Sequence, residues 1–346
     1  MRAILKLIAV VVATLIISAS CEHKELCMDH YLHASRLHLY VLPTFEQEWQ
    51  YPLSQTAIDW ASSWDAEKYM MEYDKLRPTV PSGVRVLALD KSTEVQTTTN
   101  ILATGGIAYF TGTNNSVLLY NNDTEYIVFN DMGDQTAATA TTRTRTRSTY
   151  MGNEFSSEEV ENTMAPPDML YARYLKDWQV ERKFIPDTLS VTMMPLVYTY
   201  LIRYEVVYGM EYIGLARGAL SGMAGSVFLH NGSTTEQVVT LVYDCDVVEG
   251  FGATTSVRSF GVPNYPNDAY TRGEQRYALN LEVRLNNGNM LNYDFDVTDQ
   301  VRLQPHGGVI EVTGIEIPDS IGMQGGSGFD VEIEGWGEYV DVDLPL

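Results

Sequence analysis

The stretch LNLEVRLNNGNMLNYDFDV, residues 279–297, decides the fold. Leu279, Leu281, Val283 and Leu285 alternate with polar residues, Asn287 and Gly288 supply a turn, and Leu291, Tyr293, Phe295 and Val297 alternate again. Successive side chains of a strand point to opposite faces, so alternation on both sides of Asn-Gly predicts a β-hairpin with one buried face. A sheet with one apolar face needs a second layer to cover it, which makes a β-sandwich the expectation for this half of the chain.

Working outward, strand-like runs fall at 196–208, 225–230 and 237–243 in the second half, and at 84–89, 116–120 and 125–129 in the first. Asn121, Asn122 and Asp123 separate the last two, which reads as another hairpin. Near the start, Leu37, Leu39 and Val41 share one strand face, with His38 and Tyr40 on the other. The best helical candidate is 54–75, where Ile58, Ala61, Trp64, Lys68 and Met71 recur at threes and fours before Pro78. Pro166 and Pro167 stiffen the middle of the chain, and a domain boundary is expected near residue 180. The expectation is an all-β protein with a minor helix: two β-sandwich domains, 21–180 and 181–346, after a leader over 1–20.

That leader, MRAILKLIAVVVATLIISAS, has a basic head at Arg2 and Lys6, an apolar core from 7 to 17 and a small-residue triplet before Cys21. An apolar run of about a dozen residues is too short to span a bilayer, which takes roughly 20, so it reads as a cleaved secretion signal. Small residues ending in Cys resemble a bacterial lipobox, which makes Cys21 the acylated first residue of the mature protein. Each lipid methylene buried in the bilayer then contributes about 0.8 kcal/mol of anchoring. The covalent lipid is the only added group expected; no cofactor or metal is.

Loss of the leader moves the formal charge from -22 to about -24, which excludes nucleic-acid binding through a basic face. Three cysteines are an odd count for an oxidising compartment, and lipid on Cys21 leaves Cys27 and Cys245. His30, His33 and His38 have no partner at a metal-motif spacing. HExxH, GxSxG, Walker and dinucleotide-binding patterns are absent, and no enzyme activity is expected.

Two segments stand out by composition. ATATTRTRTRSTY, residues 138–150, is a Thr/Arg repeat in an acidic chain, and Arg143, Arg145 and Arg147 are expected in an exposed, trypsin-sensitive loop or edge strand. Beyond the glycine-rich stretch 322–328, Phe329, Val331 and Ile333 alternate with acids, giving strand-forming material that either closes its own sandwich or is offered to another subunit.

CEHKELCMDH (21–30), LLYNNDTEYIVF (118–129) with the Thr/Arg repeat after it, ALSGMAGSVFL (219–229), DFDVTDQV (294–301) and GGVIEVTGIEIP (307–318) together resemble a fimbrillin-like lipoprotein family of Bacteroidetes. The resemblance covers nearly the whole mature chain. It implies two tandem transthyretin-like, Greek-key β-sandwiches and an anchor or accessory subunit of type V pili on the outer membrane, with other pilus subunits as partners. Such subunits assemble when a strand of one fills a groove of the next, so backbone hydrogen bonds give affinity and alternating side chains give register. Major pilins lose an N-terminal strand to a protease; an acylated chain cannot lose its N-terminus and remain anchored, which favours the anchor role. Asp187-Thr188-Leu189 and Asp319-Ser320-Ile321 resemble the Bacteroidetes O-glycosylation triplet, marking Thr188 and Ser320. The alternative reading is a surface glycan-binding lipoprotein that stacks sugars on Trp49, Trp60, Trp64 or Trp178, while Trp336 fits either reading, as a platform or as a strand anchor.

Cys21→Ala is expected to move the protein from the membrane to the soluble fraction; retention after carbonate washing would place the anchor elsewhere.

Overall fold

The structure is a computed structural model that describes residues 35–50, 58–147, 149–156, 161–267, 275–323, 335–336 and 339–342. Cys21, Cys27, His30, His33, Phe329, Val331 and Ile333 lie outside the described residues. In chain order the strands are β1 (Arg36–Phe45), β2 (Gly83–Asp90), β3 (Gln96–Leu102), β4 (Gly106–Tyr109) and β5 (Asn114–Asn121), then β6 (Ile127–Asn130), β7 (Thr139–Thr142), β8 (Thr144–Thr146) and β9 (Asn162–Met164). They continue with β10 (Tyr171–Gln179), β11 (Arg182–Lys183), β12 (Asp187–Pro195), β13 (Tyr198–Tyr208), β14 (Ile213–Ala224), β15 (Ser226–Phe228) and β16 (Val238–Val248). The last are β17 (Gly252–Ser259), β18 (Ala278–Leu285), β19 (Met290–Asp296), β20 (Gly308–Glu316) and β21 (Val340–Val342). The α-helices among the described residues are short: α1 (Trp60–Ser63), α2 (Ala66–Tyr69), α3 (Thr298–Leu303) and α4 (Asp319–Gly322). The protein is all-β, as expected.

The hairpin at 279–297 forms in register. β18 and β19 pair antiparallel with Arg284 opposite Met290, and Gly288 takes the positive φ of 87° that the turn requires. Leu279, Leu281, Val283 and Leu285 are fully buried. They belong to a sheet ordered β19-β18-β14-β16-β17-β13-β20. β16 starts beside β14 and ends beside β17, with Asp246 opposite Thr254, so it carries the sheet round a corner and makes two layers. Leu220 and Met223 of β14 and the β18 leucines share one core with Tyr200, Ile202 and Tyr204 of β13 and Ile310 of β20.

The first sheet runs β11-β1-β12-β10-β5-β2-β3, with β4 on the other edge of β1. Leu37, Leu39 and Val41 are buried as their alternation predicts; His38 is buried too, its ring edge-on to Tyr109. β11 and β12 both pair with β1, so this sheet runs to Pro195, and the changeover comes at Leu196 and Val197 rather than near 180.

Two further expectations need correction. The runs at 116–120 and 125–129 become β5 and β6, which sit in different sheets and do not pair. The Asn-Asn-Asp segment is held from outside: Asp123 accepts from the backbone N–H and the hydroxyl of Ser82 at 2.6 and 2.9 Å, and Asp168 accepts from the N–H groups of Glu125 and Tyr126 at 2.6 and 2.5 Å. The chain therefore crosses to a small sheet ordered β15-β7-β6 instead of turning back. Within 58–76, the single helix is replaced by α1, α2 and a 3-10 turn over Tyr73–Leu76. Asp59 accepts from the backbone N–H groups of Ala61 and Ser62 and Asp65 from that of Lys68, so each caps a new turn, and Met70 ends α2 in the left-handed region at φ 55°.

The aromatic stripe of that segment packs against the second half of the chain. Trp49, Trp60, Tyr69 and Leu76 cluster with Leu201 of β13 and Val309 of β20, and Trp60 Nε1 donates to Gln304 Oε1 at 2.8 Å. β8 and β9 join the second sheet through β16, while β15 leaves the second half to pair with β7. Each half thus completes the other.

Trp60→Ala, a change in the first half, should cost about 3–5 kcal/mol and loosen β13 and β20. Denaturant unfolding reads the loss; a value below about 1 kcal/mol would show that the segment only rests on the sheet.

Candidate assembly site: the Thr/Arg strand and the strand that closes on it

The face of β14 and β18 turned away from the core is polar. It carries Arg217, Ser221, Asn280 and Glu282, all buried. A sheet face of this kind stays dry only under a cover whose groups match it. The cover is the Thr/Arg segment. Arg147 donates to the Gly218 carbonyl and to Asn280 Oδ1, both at 3.0 Å, and lies 3.4 Å from Glu282 Oε1. Arg217 Nε donates to Glu282 Oε2 at 2.7 Å, where the Thr149 hydroxyl also donates at 2.9 Å. One carboxylate therefore serves two guanidinium groups and a hydroxyl. Further along, Tyr150 and Thr240 hydrogen-bond Ser221 at 3.0 Å, and Glu161 accepts from the Thr240 hydroxyl at 2.7 Å and from the Gly222 N–H at 3.1 Å.

This corrects the expected exposed basic loop. Arg147 is 7% exposed, and Arg143 and Arg145 are half-buried. The premise that such cations cannot be buried unpaired holds; the partners come from β14 and β18, far along the chain, where local patterning gives no sign of them.

On the outer side of β8 sits β21, the last described strand. It pairs Val340 with Thr146, Asp341 with Arg145 and Val342 with Thr144, and it has no other strand neighbour among those described. Arg145 meets Asp341 as a fork, Nε to Oδ1 at 2.7 Å and Nη2 to Oδ2 at 3.1 Å. Its guanidinium also lies 4.7 Å from the Tyr339 ring centre, and the Tyr339 hydroxyl donates to Asp244 at 2.7 Å. Arg217 stacks on Trp336 at 3.9 Å. A cavity of about 440 Å³ remains between the two segments, lined in part by Arg147, Arg217, Arg284, Met290 and Trp336. Val340 is 60% exposed. The closing strand is thus held by three ladder pairs, polar side chains and ring faces, and none of its described side chains is buried in either core.

The other sequence candidates fall elsewhere. Thr188 is exposed on β12 beside Tyr40, and Ser320 is exposed on α4. Asp319, the acid of the second triplet, is already engaged by the hydroxyls of Tyr208 and Tyr212 at 2.7 and 2.9 Å. Trp49, Trp60 and Trp64 do not form a sugar platform: the first two are buried, and the three rings meet edge to face at 77° and 82°. Trp178 packs half-buried on the first core. Cys245 is a free, half-buried thiol. Among the described residues no cluster of His, Cys, Asp and Glu could hold a metal ion. Sequence reasoning missed Glu282 and Arg217; the only trace was that Asn280 and Glu282 occupy the polar positions of the hairpin.

Fold and seam define a class: an all-β protein of interlocked sandwiches with a short, polar-held strand on the edge at its chain end. More specifically, the chain belongs to the family described as a domain of unknown function, DUF5119, which matches residues 69–244. No curated protein matches it. Among solved structures, a candidate adhesin from Bacteroides ovatus is 17% identical with a TM-score of 0.54, covering 86% of this chain and 97% of its own, and it shares the fold. A second candidate adhesin from Bacteroides ovatus is 9% identical with a TM-score of 0.45, over 80% of this chain and 89% of that one. The fimbrial anchor protein Mfa2 from Porphyromonas gingivalis is 8% identical with a TM-score of 0.39, over 80% and 90%.

Breaking the buried carboxylate site and breaking the outer fork should differ sharply. Glu282→Ala leaves two buried guanidinium groups short of a partner and should cost about 3–5 kcal/mol, whereas Asp341→Ala should cost no more than about 1 kcal/mol. Denaturant titration of the two variants checks the order. In limited trypsin digestion of the folded protein, the bond after Arg147 should resist.

Proposed function

We propose that the chain is a fimbrial subunit carried on the outer membrane by lipid on Cys21, an anchor or accessory component that joins other pilus subunits by strand complementation. The observation that carries this reading is the seat of β21: a three-residue edge strand, held by ladder pairs, polar side chains and ring faces, on a β8 whose other side makes only one ladder pair among the described residues, Thr144 with Met164. Such a strand can leave without opening a core, and β8 then offers free backbone groups to an incoming strand. The glycine-rich sequence 322–328 before it suits that exchange. At the other end, β1 is held on both sides, by β12 over seven register pairs and by β4 over four, so removing it would break the first sheet. That supports a subunit that keeps its N-terminus, as a lipid anchor requires. The sequence resemblance and the shared fold with a candidate adhesin support the same reading, and the role is one of assembly, without catalysis or cofactor.

Truncation after Gly328 tests it. The shortened chain should keep its melting temperature to within about 3 °C, since losing roughly 1 kcal/mol moves a protein of this size by only a few degrees, and it should fail to enter fibres. Unfolding, or a much larger drop, would assign the strand permanently to its own sandwich.

A further inference from the structure

The start of β1 is where the segment from Cys21 enters the fold. Thirteen residues, 22–34, separate Cys21 from Ser35, a reach of at most about 45 Å when fully extended. The neighbouring chain turns at the same end. β11 runs antiparallel to β1, with Leu37 opposite Arg182 and Arg36 opposite Lys183, and β12 resumes in parallel with Leu39 opposite Asp187. Phe184 and Ile185 therefore project past the first residue of β1. Arg182 Nη1 donates to the Ser35 carbonyl at 3.1 Å, tying this turn to the point of entry.

Phe184 is 57% exposed and Ile185 73%. The outward positions of the adjoining strands continue the apolar character: Tyr40 and Leu42 on β1, and Ile107 and Tyr109 on β4, are exposed where polar residues belong on a solvent-facing sheet. Single exposed apolar residues are ordinary; a group of them that begins at the tip and runs on along β1 and β4 is not. Arg36 and Arg182 are exposed beside the tip and in no ion pair among the described residues, although the chain as a whole carries a charge of -22. An apolar tip rimmed by tyrosines and arginines, with the flanking acids Glu181 and Asp187 both paired to Lys183, matches the interfacial layer of a bilayer, where rings and aliphatic groups sink to the acyl boundary and guanidinium groups meet phosphates.

We propose that the Phe184–Ile185 turn and the exposed faces of β1 and β4 form a membrane-contacting surface that rests on the lipid bilayer and sets the orientation of the protein on it. The inference deepens the anchor reading and takes from it which membrane is near, but the contact itself requires no lipid on Cys21. One weak apolar contact and one acyl anchor together hold a protein far better than either alone.

The test uses the mature chain, residues 21–346, carrying Cys21→Ala, and vesicles of phosphatidylethanolamine and phosphatidylglycerol. The protein should sediment with the vesicles, and Phe184→Asp combined with Ile185→Asp should weaken that partitioning about tenfold while leaving the melting temperature unchanged. In Phe184→Trp, the added emission should shift to shorter wavelength only when vesicles are present. Equal sedimentation with and without the two aspartates overturns the proposal. So does emission already shifted in buffer, which would mean that residues 22–34 or a second copy cover the tip. If the Cys21→Ala chain stays on cell membranes after carbonate washing, the lipid-anchor reading fails, and the vesicle measurements on the same protein still decide the role of the turn.

Discussion

The carboxylate of Glu282, shared between the buried guanidinium groups of Arg147 and Arg217, is the interaction on which the arrangement of the chain depends. Isolated buried charges are costly, and a pair gives specificity only when its remaining hydrogen bonds are met. Here the Gly218 carbonyl, Asn280 and Thr149 meet most of them, and only the Arg147 Nε–H has no hydrogen-bond partner among the described residues at this seat. The consequence is topological. The outer face of the β14–β18 layer cannot be left bare, so the segment after β7 must lie across it, and once it does, β8 is fixed as a docking edge. Everything at the seam follows from that seat, including the position of β21.

The opposite outer face of the same sandwich is treated with different chemistry. There the cover is aromatic, Trp49, Trp60 and Tyr69 over Leu201 and Val309, with Lys68 and Arg203 both reaching Glu311 at its rim. The second sandwich is clasped on one face by a polar network and on the other by rings, and both clasps are supplied from the first half of the chain. Such a body resists being pulled apart between its sandwiches.

What could be read from the sequence was what local chemistry encodes. The hairpin at 279–297 was legible because alternation and Asn-Gly agree over a short range, and β1 because three apolar residues share a face. The helix over 54–75 was misread because threes and fours were counted through Asp59 and Asp65, two residues that cap turns rather than continue them. The boundary near 180 was missed because β12 pairs in parallel with β1, about 150 positions earlier, and a parallel partner leaves no turn signal. At the site the limit was sharper: the Thr/Arg repeat was recognised as unusual, but its burial depends on Glu282, which looks like any outward polar residue of a hairpin.

In the proposed function the seam is two-tiered, a fixed Thr/Arg strand and an exchangeable closing strand upon it. Hydrogen exchange measured on peptides covering 143–147 and 339–342 tests this most directly. The first should exchange only with global unfolding, and the second orders of magnitude faster, through local release. If both peptides exchange together at the slow rate, β21 is a permanent part of its sheet and the exchangeable seam does not exist.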